Sequence, residues 1–339
     1  MSRRDFSPSQ EERRIAEDFR RIAATVPLPD SHKLFILQVY GGLKPSGTFD
    51  GLPQTDMTAI RNLAVLLKRL FLYYRVLRLG KNVKIIFSRR RQDVERLFDI
   101  HDGVFRRRRH VREYGRLLGY PSCCVARFRA QGNPWSFICD VEDYLGRFPS
   151  SSYASRLYWQ PDARLNRYAG HPLIFHWPCR LDCPFSIELA DKVLSLYESY
   201  RPGLAQKLMS GLAAPVLVFR SGNYVRFSVP MRRGTIRYAA VNCVTPLLLE
   251  TGALGPEDEK VLRIMRTIEA GNRISFNGRS FTVCLNGRSI LEVNFSDRFF
   301  CFLDFNPPAG IPRSRRPAPP SAGQGQGQRC PPLKIGGSA

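Results

Sequence analysis

The chain has 339 residues, 43% of them hydrophobic, and a formal net charge of +23. That length allows two modest domains or one large one with a real core, and the composition is that of a soluble globular protein. No run of about eighteen apolar residues is free of charge, which argues against a membrane span. The start, Met1-Ser2-Arg3-Arg4-Asp5-Phe6, opens no apolar signal region, so a cytoplasmic protein is expected.

Residues 1–30 balance acidic residues against arginines and predict a polar N-terminal helix ending before Pro27 and Pro29. Residues 34–40 read as a short buried strand, followed by the turn signals Gly41-Gly42 and Pro45-Ser46-Gly47. From Met57 to Leu79, Ile60, Leu63, Leu67, Leu70, Tyr74 and Leu77 keep a three-four spacing that predicts one long helix. Gly80-Lys81-Asn82 then leads into a strand from Val83 to Phe87. A helix start follows at Ser88, and a second helix is expected over Val104–Leu118.

Charge is concentrated here. Residues 61–129 hold nineteen Lys and Arg against five Asp and Glu. The runs Arg89, Arg90, Arg91 and Arg106, Arg107, Arg108, Arg109 therefore form a candidate surface for nucleic acid or another polyanion. No glycine-rich loop nearby matches a nucleotide-binding fingerprint.

Residues 147–166 have weak periodicity and read as a long surface connection, whereas Phe185–Tyr200 is helical. Beyond Pro215 the pattern changes. Residues 216–219, 224–229 and 235–241 alternate like strands, and a helix is expected over 257–269. Residues 273–276, 280–285 and 289–295 are separated by Asn277-Gly278 and Asn286-Gly287, the strongest short hairpin signal. They predict a β-meander. Past Pro307 the chain is rich in Pro, Gly and Gln, and a disordered tail is expected. The fold class is thus α/β or α+β: a polar helix (1–30), a mixed domain (31–205), a β-rich domain (212–306) and a tail (307–339).

Nine cysteines in a reducing compartment do not make a disulfide framework. Cys139, Cys243, Cys284 and Cys301 lie among apolar residues and read as core filler, and Cys330 falls in the tail. The other four fall in two tight pairs. Cys123 and Cys124 lie in Leu117-Leu118-Gly119-Tyr120-Pro121-Ser122-Cys123-Cys124-Val125, and Cys179 and Cys183 in His176-Trp177-Pro178-Cys179-Arg180-Leu181-Asp182-Cys183-Pro184. Pro121 and Pro184 each suit the first turn of a helix, which puts both pairs near helix N-termini, where unpaired N–H groups stabilise thiolates.

Four soft ligands from two loops could hold zinc or an iron–sulfur cluster. Adjacent cysteines on a helix diverge by roughly 100°, so Cys123 and His176 are alternative fourth ligands beside Cys124, Cys179 and Cys183. A multi-iron cluster relaxes that constraint. Neither pair has the two-residue spacing of a common zinc knuckle. Cys-x3-Cys shares one spacing with the radical-SAM cluster motif, but position 186 is Ser where its third cysteine would stand. A vicinal disulfide redox switch at Cys123–Cys124 and a purely structural burial are the other readings. Loop residue His171 is a further candidate ligand, Asp182 a candidate helix cap and Glu188 a candidate acid or base.

The string Gly115-Arg116-Leu117-Leu118-Gly119-Tyr120-Pro121-Ser122-Cys123-Cys124, with Phe128, resembles the domain-of-unknown-function 483 family. So does His176-x-Pro178-Cys179-x3-Cys183-x2-Ser186. The resemblance covers about residues 80–200 and implies that the four cysteines act as one unit, with no activity attached. The expected function is a metal- or cluster-binding protein, with zinc or an iron–sulfur cluster as cofactor. A basic module for nucleic acid or polyanions, and a thiol-redox or metal-dependent enzyme, are the alternatives. No Ser-His-Asp set or paired-carboxylate site is identifiable.

Overall fold

The computed structural model describes residues 8–107, 110–130, 158–159, 161–180, 182–219, 223–244, 256–276, 280–294 and 300–305. Among them are nine α-helices and three sheets, a mixed fold as the sequence predicts. No described helix is long and apolar enough to cross a membrane.

Helix α1 (Gln10–Ala23) starts at a capping box, with Ser9 and Glu12 bonding each other's backbone N–H. Residues 34–40 are not a strand. They belong to helix α2 (Asp30–Tyr40), which follows Pro29 at its N-cap. Leu34 to Val39 are all buried, so this helix is apolar on every side and lacks the one-faced pattern that marks a helix in sequence. Its one buried amide, Gln38, donates to Tyr197 Oη at 2.6 Å.

The expected helix over Met57–Leu79 is also corrected. Helix α3 (Met57–Arg69) stops at Leu70, and Tyr73–Leu79 is strand β2, where aromatic and branched residues favour extended backbone. Strands β1 (Ser46–Pro53), β2 and β3 (Asn82–Ser88) form an antiparallel sheet in the order β1-β3-β2. The turn from β2 to β3 uses Gly80 at φ 60. Phe49, Ile85 and Phe87 face a core shared with Phe19, Leu63, Leu66, Leu67, Val193, Leu194 and Tyr197.

The helix expected over 104–118 is two helices, α4 (Arg91–Arg107) and α5 (Val111–Leu117). His110 at φ 62 separates them. Arg108 and Arg109 lie outside the described residues. Helix α6 (Ser122–Ala130) then packs against α5 at Gly115, where an added Cβ would fall 2.4 Å from Val125 Cγ2. Gly119, at φ 72, turns the chain between them.

Downstream, β4 (Tyr158–Trp159) and a 3₁₀ turn (Ala163–Leu165) precede α7 (Pro184–Tyr200) and α8 (Leu204–Leu212). Helix α7 packs along α1, and Arg20 donates to the carbonyls of Ser199 and Tyr200 at its end. Strands β5 (Val216–Phe219), β6 (Tyr224–Phe227) and β8 (Val241–Val244) join β12 (Phe300–Leu303) and β4 in a five-stranded sheet, order β4-β12-β5-β6-β8. Strands β7 (Thr235–Arg237), β9 (Arg273–Phe276), β10 (Ser280–Leu285) and β11 (Arg288–Asn294) form the second, order β11-β10-β9-β7.

Helix α9 (Pro256–Ala270) contributes Val261, Ile264, Met265 and Ile268 to the core these sheets share. The meander is present as read: Asn286 and Gly287, at φ 50 and 86, make the β10–β11 turn. Asn277-Gly278, Cys139, Cys330 and the tail past 307 lie outside the described residues, as does most of the expected connection over 147–166. Cys284 is buried and Cys243 half-buried, as core filler should be.

Two glycines separate close packing from helix propensity. Gly115→Ala should destabilise the fold by about 1–3 kcal/mol, because Val125 leaves no room for a methyl group. Gly211→Ala, in α8 with open space around it, should stabilise by up to about 1 kcal/mol. Denaturant midpoints moving in opposite directions would bear this out; equal shifts would contradict it.

Candidate metal centre

Helices α6 and α7 bring their N-termini together, and the cysteines sit there. Cys123 and Cys124 occupy the first turn of α6, and Cys183 is the N-cap of α7 with Pro184 following. Cys179 comes from the loop just before α7. The sulfurs of Cys123, Cys124, Cys179 and Cys183 all lie within 4.8 Å of one another, a group that could hold a metal ion. Cys123 Sγ to Cys124 Sγ is 3.8 Å, Cys123 to Cys183 3.8 Å, and Cys124 to Cys183 3.7 Å. The first turn of α6 thus lets adjacent cysteines turn towards one point despite their angular separation.

Cys124 is the best-supported sulfur. The Cys179 backbone N–H donates to its Sγ at 3.3 Å, and Ser186 Oγ lies 3.3 Å away. Ser186 Oγ in turn lies 2.8 Å from His176 Nε2. A thiolate at Cys124 fixes the direction of this relay: the Ser186 hydroxyl donates to sulfur, and His176 donates its Nε2–H to Ser186. His176 is therefore one step behind the sulfurs, and its ring is not among the four converging donors. Ser186, which in sequence marked a missing cysteine and closed the second cysteine motif, is the link between them.

The electrostatics divide the thiols. Hydrogen bonds from Cys123, then Cys124 and Cys179, hold the Cys183 thiol well below the usual thiol range. The Cys124 thiol is pushed up by hydrogen bonding to Cys123, Cys179 and Cys183 and by burial. Four packed sulfurs cannot all ionise without a cation between them.

Behind the sulfurs lies positive charge that sequence reading did not single out. Lys44 is 3% exposed, and its Nζ lies 4.9–5.4 Å from the ring centres of Phe35, Tyr120 and Phe175. Burial lowers its pKa to about 7. The Tyr120 ring packs tilted, at 38°, against His176 with 5.0 Å between centroids. Burial, then the charges of Lys44 and Arg167, push His176 down to about 3, so it stays neutral. Arg167 lies over the Trp177 ring at 3.8 Å, with Nη1 buried and without a hydrogen-bond partner among the described residues. Both cations act on His176, which Ser186 links to Cys124.

The remaining candidates lie elsewhere. His171 faces Tyr197 at 6.4 Å, and burial lowers its pKa. Asp182 is exposed and pairs with Arg180 at 2.9 Å, so it does not cap α7, whose N-cap is Cys183. Glu188 points to solvent and pairs with Lys192 at 2.8 Å. Of the arginines, Arg90 is held by Asp93 through two bonds of 2.8 and 2.9 Å, Arg91 lies 3.9 Å from Glu95, and Arg89 packs over Gly42. Arg106 and Arg107 end α4.

Lys44 gives the metal-free protein a pH signature. Its folded pKa of about 7 lies below the 10.5 of a free lysine, so between these values the unfolded chain holds a proton that the folded chain lacks. Stability should rise with pH across that window. Denaturant midpoints of metal-free protein at pH 7 and pH 9 should show a rise that Lys44→Met removes; the same slope in both proteins would exclude the effect.

Searches against protein-family models, curated proteins and solved structures find no match to this chain.

Proposed function

We propose that the protein is a zinc-binding protein whose four cysteines hold one ion as a structural centre. The observation that carries this reading is the spacing of the Cys123, Cys124 and Cys183 sulfurs, 3.7–3.8 Å apart, with Cys179 Sγ within 4.8 Å of all three. Four thiolates at the Zn–S distance of about 2.3 Å around a tetrahedral ion are separated by about 3.8 Å. In a four-iron cluster each thiolate binds a different iron, and in a two-iron cluster the four thiolates divide between two irons. Either way the four sulfurs spread further apart than around one ion, which makes an iron–sulfur cluster the weaker fit. Four protein ligands leave no open position for substrate, so the chemistry favoured is structural and not catalytic.

The zinc would pin the first turn of α6 to the loop before α7, two segments about sixty residues apart in sequence. The resemblance to the domain-of-unknown-function 483 family belongs to the same proposal, because the two halves of its motif are the two segments carrying sulfurs. A polyanion surface at Arg89, Arg90 and Arg91 is less favoured, since Arg90 and Arg91 face carboxylates of their own helix.

Anaerobically purified protein should contain one zinc per chain by elemental analysis and show no visible absorption. Cobalt exchange should produce the intense sulfur charge-transfer and ligand-field bands of a tetrahedral thiolate site. Cys124→Ser or Cys183→Ser should abolish stoichiometric zinc and lower the melting temperature. Several irons per chain with a broad visible band would replace this reading with an iron–sulfur centre, and no metal at all would end it.

The outer relay has its own test. Ser186→Ala should keep the one-to-one stoichiometry but weaken zinc by roughly 10–100-fold, measured by competition with a chromophoric chelator. Unchanged affinity would remove Ser186 and His176 from the metal's support.

A further inference from the structure

The turn that ends α3 is a Schellman motif. Leu72 N–H donates to Leu67 O at 2.9 Å, and Phe71 N–H donates to Lys68 O at 3.0 Å. The residue after the cap must then adopt positive φ, which glycine does freely and side chains with a Cβ do at a cost. Here it is Phe71, at φ 55. Its side chain is also 89% exposed, the most exposed large hydrophobic residue among those described. One residue thus carries a backbone penalty and an exposure penalty, and glycine would relieve both. Strain and apolar exposure at one position point to a partner outside the fold.

The neighbours define that partner. Lys68 and Arg69 form the last turn of α3, and both are exposed. Arg69 also donates to Thr25 Oγ1. Tyr73, two residues beyond Phe71, opens β2 and is 50% exposed. Aromatic rings beside cations suit single-stranded nucleic acid, whose bases stack on any aromatic face while Lys and Arg meet the phosphates. A lipid surface fits less well. Leu63, Leu66 and Leu67 turn the apolar face of α3 inward, and of its large apolar residues only Met57, at the far end from Phe71, is exposed, which leaves no amphipathic face to sink into a membrane. The chain's net charge of +23 favours a polyanion over a neutral protein surface.

We propose that Phe71 and Tyr73, at the α3–β2 turn, form a stacking platform for single-stranded nucleic acid, with Lys68 and Arg69 taking backbone phosphates. The platform does not depend on the metal centre. It places the nucleic-acid contact at a turn whose own geometry is unfavourable without a ligand, and Tyr73 pairs with Ser88, the residue before Arg89, Arg90 and Arg91.

The test uses the full chain and a short labelled thymidine oligonucleotide, followed by fluorescence anisotropy at low salt. Wild-type protein should bind, and binding should weaken steeply as salt rises. Phe71→Ala and Tyr73→Ala should each weaken it by about tenfold, whereas Phe71→Trp should retain it. Phe71→Gly should weaken binding equally yet raise the melting temperature by about 2–4 °C, because glycine fits the turn. That opposition separates a binding role from a structural one. No oligonucleotide binding by the wild type would overturn the proposal, as would binding insensitive to Phe71 and Tyr73. So would a fall in melting temperature for Phe71→Gly, or Phe71-dependent binding to phosphatidylserine vesicles in place of the oligonucleotide.

Discussion

The candidate centre depends on two helix N-termini meeting at one point. Helices α6 and α7 belong to distant stretches of chain, and only their first turns approach closely enough to bring sulfurs together. Two positive dipole ends facing each other repel. Thiolates placed between them would reverse that repulsion, and a metal ion could then hold the thiolates. Gly115 sets the position of one partner, since it lets α5 seat α6 without an intervening side chain. Gly115, the turn at Gly119 and the pair Cys123 and Cys124 are therefore one geometric unit spread over ten residues.

The surroundings continue the same electrostatic logic outward. Buried cations are expensive unless something negative stands near them, and Lys44 Nζ lies over the rings of Phe35, Tyr120 and Phe175 with no carboxylate paired to it among the described residues. A tetrathiolate centre bearing a divalent ion carries a net negative charge on the far side of His176. Neutral His176 and the Ser186 hydroxyl transmit the orientation of Cys124 to this layer without adding charge. Lys44 thus makes sense as part of the centre even though it touches no sulfur.

Much of this was legible in the sequence, for identifiable reasons. The four cysteines announced themselves by pairing and by the prolines beside them, and the hairpin at Asn286-Gly287 by its need for positive φ. Helix α7 followed from Ile187, Ala190, Leu194 and Tyr197 on one side. Helix α2 was unreadable because full burial erases periodicity: Leu34 to Val39 pack in every direction, and a short apolar run fits a strand equally well. Strand β2 was lost because Tyr74 and Leu77 also satisfy helical spacing, while the stop at Phe71 uses a residue that gives no warning of positive φ. Lys44 could not be found at all, and Ser186 stood only as the last residue of the second cysteine motif, with no role attached. Their importance lies in contacts across the fold, which no local pattern records.

Strand β12 lies between β4 and β5, parallel to the first and antiparallel to the second. Its neighbours come from Tyr158–Trp159 and Val216–Phe219, so the sheet closes only when residues at 300–303 have been made. During synthesis β4 and β5 must therefore wait with open edges until the last described strand emerges from the ribosome. Contacts of such long sequence separation make folding slow. The five-stranded sheet is consequently completed only once residues 300–303 are available, whereas the sheet of β7, β9, β10 and β11 needs no part of β12.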